Sequence, residues 1–287
     1  MKASLTLVFC LFGYVFFGQS QCPYLNVHGE KVYPQHPFSK SFKKFYHKPE
    51  KMDSLIEADV MSARQFVKVI NFKEKTNQLL FQHHDPKNSY YTLFDILVFG
   101  VMQEKIHAFK TGIFSKPNAI PLTCEQFNTR IFYLDSVNQV SIDSSGIETQ
   151  ASVLKAEFIK SIDIKEFRVN EVWYFNKKWG QIEKRIVGMS PVWNNPKTGK
   201  DEELFWIYFP EAQDLLASFP ANSKSIYSDM KSFEEIFAER FFSCYIKKEN
   251  NLFNRDKTEN GKAIDDLIES ERAKEKVLKS EDDMWEK

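Results

Sequence analysis

The segment Leu204-Phe205-Trp206-Ile207-Tyr208-Phe209-Pro210 constrains the fold more than any other part of the chain. As a strand it would turn Leu204, Trp206 and Tyr208 to one side and Phe205, Ile207 and Phe209 to the other, so both faces are apolar and both need a cover. Pro210 stops the ladder, and an amphipathic stretch from Glu211 to Phe219 follows as a helix. The cover is either this chain's own helices or a neighbouring subunit, with the balance toward the chain itself. No side chain in the segment suits nucleophilic or metal chemistry, which turns attention to packing and assembly.

The flanking sequence sorts into helices and antiparallel strands. Ser54 with Glu57 forms a capping pattern, and Ile56, Val60, Ala63, Val67 and Ile70 fall at helical spacing, which predicts a helix from Ser54. Thr92 with Asp95 opens a second helix carrying Leu93, Ile96, Leu97 and Val101. Lys105 to Phe109 alternate as a short strand, a third helix is expected from about Thr123 to Leu134, and the polar run Ser141 to Ile147 reads as a loop.

Strand-forming residues then dominate: Phe167 to Val169, Glu171 to Phe175, and a return strand Ile182 to Met189 after the turn Asn176 to Gly180. A second turn, Asn194 to Gly199, leads into Leu204 to Phe209. Ser232 with Glu235 caps a last core helix, whose apolar stripe is Phe233, Ile236, Phe237, Phe241, Cys244 and Tyr245. These elements predict an α+β fold in which helices cover an antiparallel sheet of about four strands.

The ends of the chain differ from its centre. Lys2, the apolar stretch Leu5 to Phe17 and the small residues Gly18 and Ser20 read as an export signal over residues 1–20, with the mature chain starting at Gln21. That stretch falls short of the roughly 18 to 20 residues that span a bilayer, and no later segment reaches that length. Residues 21–50, with Pro23, Pro34, Pro37 and Pro49, read as an extended arm, residues 51–255 as the core domain, and residues 256–287 as a densely charged helical tail. Cys22 follows the signal where a lipid is attached in lipoproteins, but Gln21 is a poor fit to the small residue that processing needs.

Composition narrows the functional classes. In 287 residues, 43% hydrophobic and 15% aromatic content suffices for a sizeable core. The 39 Lys and Arg balance 39 Asp and Glu, which gives no reason to expect nucleic acid or an acidic membrane surface as the main partner. In an oxidising compartment a Cys124–Cys244 bridge is open, with buried free thiols as the alternative.

Candidate chemistry is sparse. Adjacent His83 and His84 point opposite ways in an extended segment, and no second ligand pair stands at helical spacing. Cys244 sits on an apolar stripe, where a thiol stays protonated, and Cys124 neighbours Glu125 rather than a cation. Neither a nucleophile elbow nor a glycine-rich phosphate loop occurs. Neither catalytic residues nor cofactors are therefore assigned. Two other readings stay open: a ligand-binding module with an aromatic pocket around Trp173, Trp179 and Trp206, and a secreted hydrolase with dispersed catalytic residues.

The order and spacing of six segments resemble the gliding-motility family GldN, also called PorN. They are EADVM at 57–61, LFDIL at 93–97, KRIVGMSPV at 184–192, LFWIYFPEAQDLLA at 204–217, FEEIFAERFFSCYIKKENN at 233–251 and LIESERAKEKVLKSEDDMWE at 267–286. The resemblance implies a non-enzymatic, periplasmic part of the type IX secretion system. Its implied partners are copies of itself in a ring, a GldK/PorK-type outer-membrane lipoprotein, and GldL/GldM-type inner-membrane motor components. No catalytic residues come with it. Large apolar side chains outside the expected elements are the candidate contacts: Tyr24, Tyr33 and Phe38 on the arm, Trp193 in the second turn and Trp285 on the tail, with local packing as the equal alternative for each.

Overall fold

The computed structural model describes residues 24–25, 31–32, 49, 59–81, 91–114, 119–142, 148–221, 231–250 and 275. Two-residue strands β1 (Tyr24–Leu25) and β2 (Lys31–Val32) pair with each other. Then come β3 (Val60–Asn71), α1 (Gln78–Phe81), α2 (Leu93–Met102), β4 (Ala108–Phe109), α3 (Cys124–Ile131), β5 (Phe132–Ile142) and β6 (Glu148–Phe158). The second half runs β7 (Ile164–Asn176), β8 (Gln181–Asn194), β9 (Asp201–Glu203), β10 (Trp206–Tyr208), α4 (Phe209–Ala217), α5 (Phe233–Ala238) and β11 (Tyr245–Asn250). The class is α+β, as expected.

The main sheet has seven strands rather than about four, in the order β11-β3-β7-β8-β10-β4 with β9 paired to β8. All of its pairings are antiparallel. The long hairpin β7–β8 follows the predicted turn at Asn176 to Gly180, and Gly180 supplies the positive φ of 62° that the turn requires.

The largest departure from expectation is β3. The residues read as a helix, Val60, Ala63, Val67 and Ile70, lie on a strand paired with β7 from Val60↔Asn176 to Asn71↔Glu166. The cause is burial on both faces at its end: Val69 and Ile70 point opposite ways, and both are buried. A strand covered twice loses its apolar–polar alternation, so the remaining pattern mimics helical spacing. The supposed cap at Ser54 and Glu57, and Ile56, lie outside the described residues.

Helix starts follow the sequence closely. Thr92 Oγ1 accepts from the Asp95 N–H at 3.2 Å while Asp95 Oδ2 accepts from the Thr92 N–H at 3.2 Å. Thr123 with Gln126, and Ser232 with Glu235, make the same reciprocal pair. Helix ends do not follow it. The third helix stops at Ile131 instead of Leu134, and the chain passes directly into β5, whose pairing with β6 takes in Ser141 and Ile142 from the stretch expected as a loop; residues 143–147 of that stretch lie outside the described residues.

The last core helix is six residues long, because Arg240 takes a left-handed conformation (φ 56°). The Phe241 N–H then donates to the Ile236 carbonyl at 2.8 Å and the Arg240 N–H to the Phe237 carbonyl at 3.3 Å, a Schellman closure with arginine where glycine is usual. Phe241 is consequently 54% exposed, and Tyr245 enters β11 rather than continuing an apolar stripe.

The segment Leu204 to Phe209 is covered from both sides by this chain. On one side Ile207, directly paired with Met189, faces the helical core, where Phe205 packs against Phe127 at 4.9 Å between ring centres. On the other side the stretch 110–114 crosses behind the sheet. Gly112 lies against the Trp206 indole, and Phe114 rests on Gly188 and against Tyr208. The strand ends at Tyr208 rather than at Phe209, and Pro210 sits in the first turn of α4, as its fixed φ favours.

Gly188 is where this cover is tightest. A Cβ there would press into the Phe114 ring and stand 2.9 Å from the backbone oxygen of Ile207. Gly188→Ala is expected to cost about 1–3 kcal/mol by overpacking, with part of the loss recovered in a Gly188→Ala, Phe114→Ala double variant, as urea denaturation would read it.

Candidate interaction surface

The helix-covered face of the sheet carries a charged cluster among apolar neighbours. Directly paired residues share a face, so Phe66, Lys68 and Ile70 of β3 stand beside Glu171, Val169 and Phe167 of β7. The Glu171 side chain, 1% exposed, is ion-paired to the Lys68 ammonium and the Arg240 guanidinium and accepts from Trp173 Nε1 at 2.7 Å. Burial alone would raise its pKa. The Lys68 and Arg240 charges, with the hydrogen bonds from Lys68 and Trp173, outweigh burial and hold it below the ordinary glutamate value.

Arg240 also donates to the Lys184 carbonyl at 2.9 Å. One residue therefore closes α5 and fastens it to β7 and β8. Around it, Lys68 and Lys184 sit 4.8 and 4.2 Å from the Trp173 ring centre. Phe66, Trp173 and Ile246 form a small apolar cluster beyond the main core. Three donors on one ionised carboxylate make a structural clamp rather than a general base.

The opposite face is also polar and internally paired. Arg168 bonds Glu203, whose other oxygen accepts from Trp206 Nε1 at 2.8 Å, and Asn170 Nδ2 donates to the Gly112 carbonyl at 2.6 Å. Lys247 approaches Glu166 at 4.0 Å, and burial, helped by the nearby Arg168 charge, lowers its pKa. Tyr174, buried and donating to Glu183, has its pKa pushed up to about 12 and stays protonated. Among the described residues no group of three or more His, Cys, Asp or Glu is placed to hold a metal ion. His83, His84 and Asp85 lie outside them.

The three tryptophans of the pocket reading do not converge. Trp173 lies on the helix-covered face, Trp206 on the opposite face, and Trp179 is 65% exposed in the β7–β8 turn. Large apolar groups exposed among the described residues include Ile120, Ile162, Trp179, Phe241 and Leu134. Phe241, expected on the apolar stripe of the last core helix, and Trp179, expected in an aromatic pocket, are both exposed. The unexpected helix end at Arg240 is what exposes Phe241.

The candidate contacts fare unequally. Trp193 is the penultimate residue of β8 rather than part of a turn; it is 4% exposed and its ring centre lies 5.3 Å from that of Tyr133, so it serves the fold. Tyr24 lies on β1, which contacts α3. Tyr33, Phe38 and Trp285 lie outside the described residues, as does the charged tail apart from a helical Glu275. Of the expected Cys124–Cys244 bridge, Cys124 is disulfide-bonded at the start of α3 and Cys244 is half-buried just before β11.

No curated protein matches the chain. A family model described as gliding motility associated protein GldN matches residues 55–286, well over half of the length and the region that carries the six resembling segments. The chain belongs to the gliding motility associated GldN family.

Proposed function

We propose that the chain is a non-catalytic structural subunit of the type IX protein secretion and gliding machine, working in the periplasm under the outer membrane. It packs beside copies of itself in a ring and binds a GldK/PorK-type lipoprotein that holds it to the membrane. GldL/GldM-type motor components are its contacts on the inner side. The observation that carries this reading is the family match over residues 55–286.

Two features of the molecule support it. Glu171, Tyr174 and Asp201, whose pKa values are shifted, are engaged in internal ion pairs or hydrogen bonds. Among the described residues no helix is long and apolar enough to cross a membrane, which fits attachment through a partner.

Aromatic anchors dominate the energy of permanent interfaces. Co-purification with the lipoprotein checks this directly. The unaltered chain is expected to bring the lipoprotein down in stable proportion, while Trp179→Ala or Trp285→Ala weakens capture by about tenfold or more at whichever anchor lies in the interface. Full capture by both variants would remove these two tryptophans from the interface, and no capture by the unaltered chain would sink the reading.

A further inference from the structure

β5 and β6, each 11 residues long, pair only with each other among the described residues, in a continuous register from Phe132↔Phe158 to Ile142↔Glu148. At the rise of an antiparallel strand the ribbon is about 35 Å long. Its base is fixed to the core: the Phe132 and Phe158 rings lie 5.4 Å apart, Phe158 lies 6.3 Å from Phe94, and the Ile159 N–H donates to the Ile131 carbonyl at 2.9 Å. That last bond sets the phase of the ladder. Bonded and non-bonded rows alternate in an antiparallel pair, so odd-numbered residues bond across the ribbon and the N–H and C=O groups of even-numbered residues turn outward. Lys197 agrees with this phase, since it donates to the outward carbonyl of Leu134. Beyond that point the sequence places no guard on either edge. A two-stranded ribbon alone in water is marginally stable, and open edges are normally blunted by lysine, proline or a bulge. Residues 136–142 and 149–154 contain no charged residue, proline or glycine, and the register carries no bulge.

We propose that the β5–β6 ribbon joins copies of this chain, the outer edge of β6 on one copy pairing antiparallel with the outer edge of β5 on the next. This pairing rests on the side-by-side packing proposed above and specifies which part of the chain makes it. A second copy fits the edge because the ribbon's own register repeats across the joint with every central row compatible. Even-numbered residues stand opposite each other there, Leu154 with Ser136, Ser152 with Asn138 and Gln150 with Val140, and their outward N–H and C=O groups bond. The same register brings Asp135 of one copy beside Lys155 of the next, opposite charges as in the ribbon itself, while the rows between 136 and 141 are uncharged. One edge is β5 and the other β6, so the contact is heterologous, and it closes into a ring when the rotation per copy permits.

Two measurements on the full mature chain with its GldK/PorK-type lipoprotein test the pairing. The first is hydrogen exchange of the unaltered chain, alone and in the assembly, resolved to single amides. The outward amides of Asn138, Val140, Gln150 and Ser152 are expected to exchange about tenfold or more slowly in the assembly than in the chain alone. The second is Ser152→Pro, which removes one outward N–H and leaves the β5–β6 bonds in place. It is expected to keep lipoprotein capture and lose the rings seen by electron microscopy. Rings that form while those four amides exchange as in the free chain would overturn the pairing and leave the ring reading standing, as would rings that persist in Ser152→Pro. Loss of lipoprotein capture in Ser152→Pro, with copies still associated, would make the lipoprotein the occupant of the edge and overturn the pairing of copies. No ring from the unaltered chain would overturn the ring reading and the pairing together.

Discussion

Glu171→Gln is expected to destabilise the fold by about 3–5 kcal/mol, because it leaves the Lys68 ammonium buried without its counter-charge. Glutamine keeps the shape and can still accept from Trp173, so the loss reads charge rather than volume. Lys68→Met should cost less, since Arg240 still neutralises the carboxylate. Arg240→Ala removes both that pair and the bond to the Lys184 carbonyl, loosening the end of α5.

The same clamp predicts acid sensitivity. Glu171 has a folded pKa below its ordinary value of 4.5, so the folded state binds its proton less readily than the unfolded state. Its contribution is complete above pH 4.5 and is lost as the pH falls through the lower folded value. In urea titrations across that range, the unaltered chain should lose stability on acidification more steeply than Glu171→Gln. Parallel pH profiles for the two would contradict the clamp.

Phe205→Ala is the second large effect, at about 3–5 kcal/mol. Phe205 is fully buried, and its ring sits 4.9 Å from Phe127 and 6.4 Å from Phe94, so truncation opens a cavity where α2 and α3 meet the loop before β10. The Arg130 guanidinium holds that loop through the Leu204 carbonyl at 2.9 Å and limits its collapse into the void. Trp179→Ala, at an exposed turn, should leave stability within about 0.5 kcal/mol. Thermal unfolding separates the two, and a comparable loss at both positions would show that Trp179 is packed in the isolated chain.

What could be read in advance follows from how local each signal is. Capping residues at Thr92 and Ser232 act within one turn, so the sequence places those helix starts, and the third helix opens at Thr123, about where it is expected. The β7–β8 hairpin is legible because its turn and both strands are contiguous. β3 is not, because whether Val60, Ala63, Val67 and Ile70 form a strand depends on the covers of a sheet assembled from distant segments. The stop after Ala238 is equally hidden, since the left-handed residue is Arg240 and not a glycine. The clamp joins positions 68, 171 and 240 from three elements, a pairing that no local pattern encodes. Trp193 looked like a turn residue because β8 outruns its own apolar pattern, continuing to Asn194 through pairing with β7 and β9.

The central claim concerns assembly, and particle architecture tests it most directly. Electron microscopy of the chain co-purified with its GldK/PorK-type lipoprotein is expected to show closed rings of repeated subunits, each joint burying over about 1,000 Å². A population of monomers or one-to-one pairs with no ring, under conditions where both proteins stay folded, would contradict it.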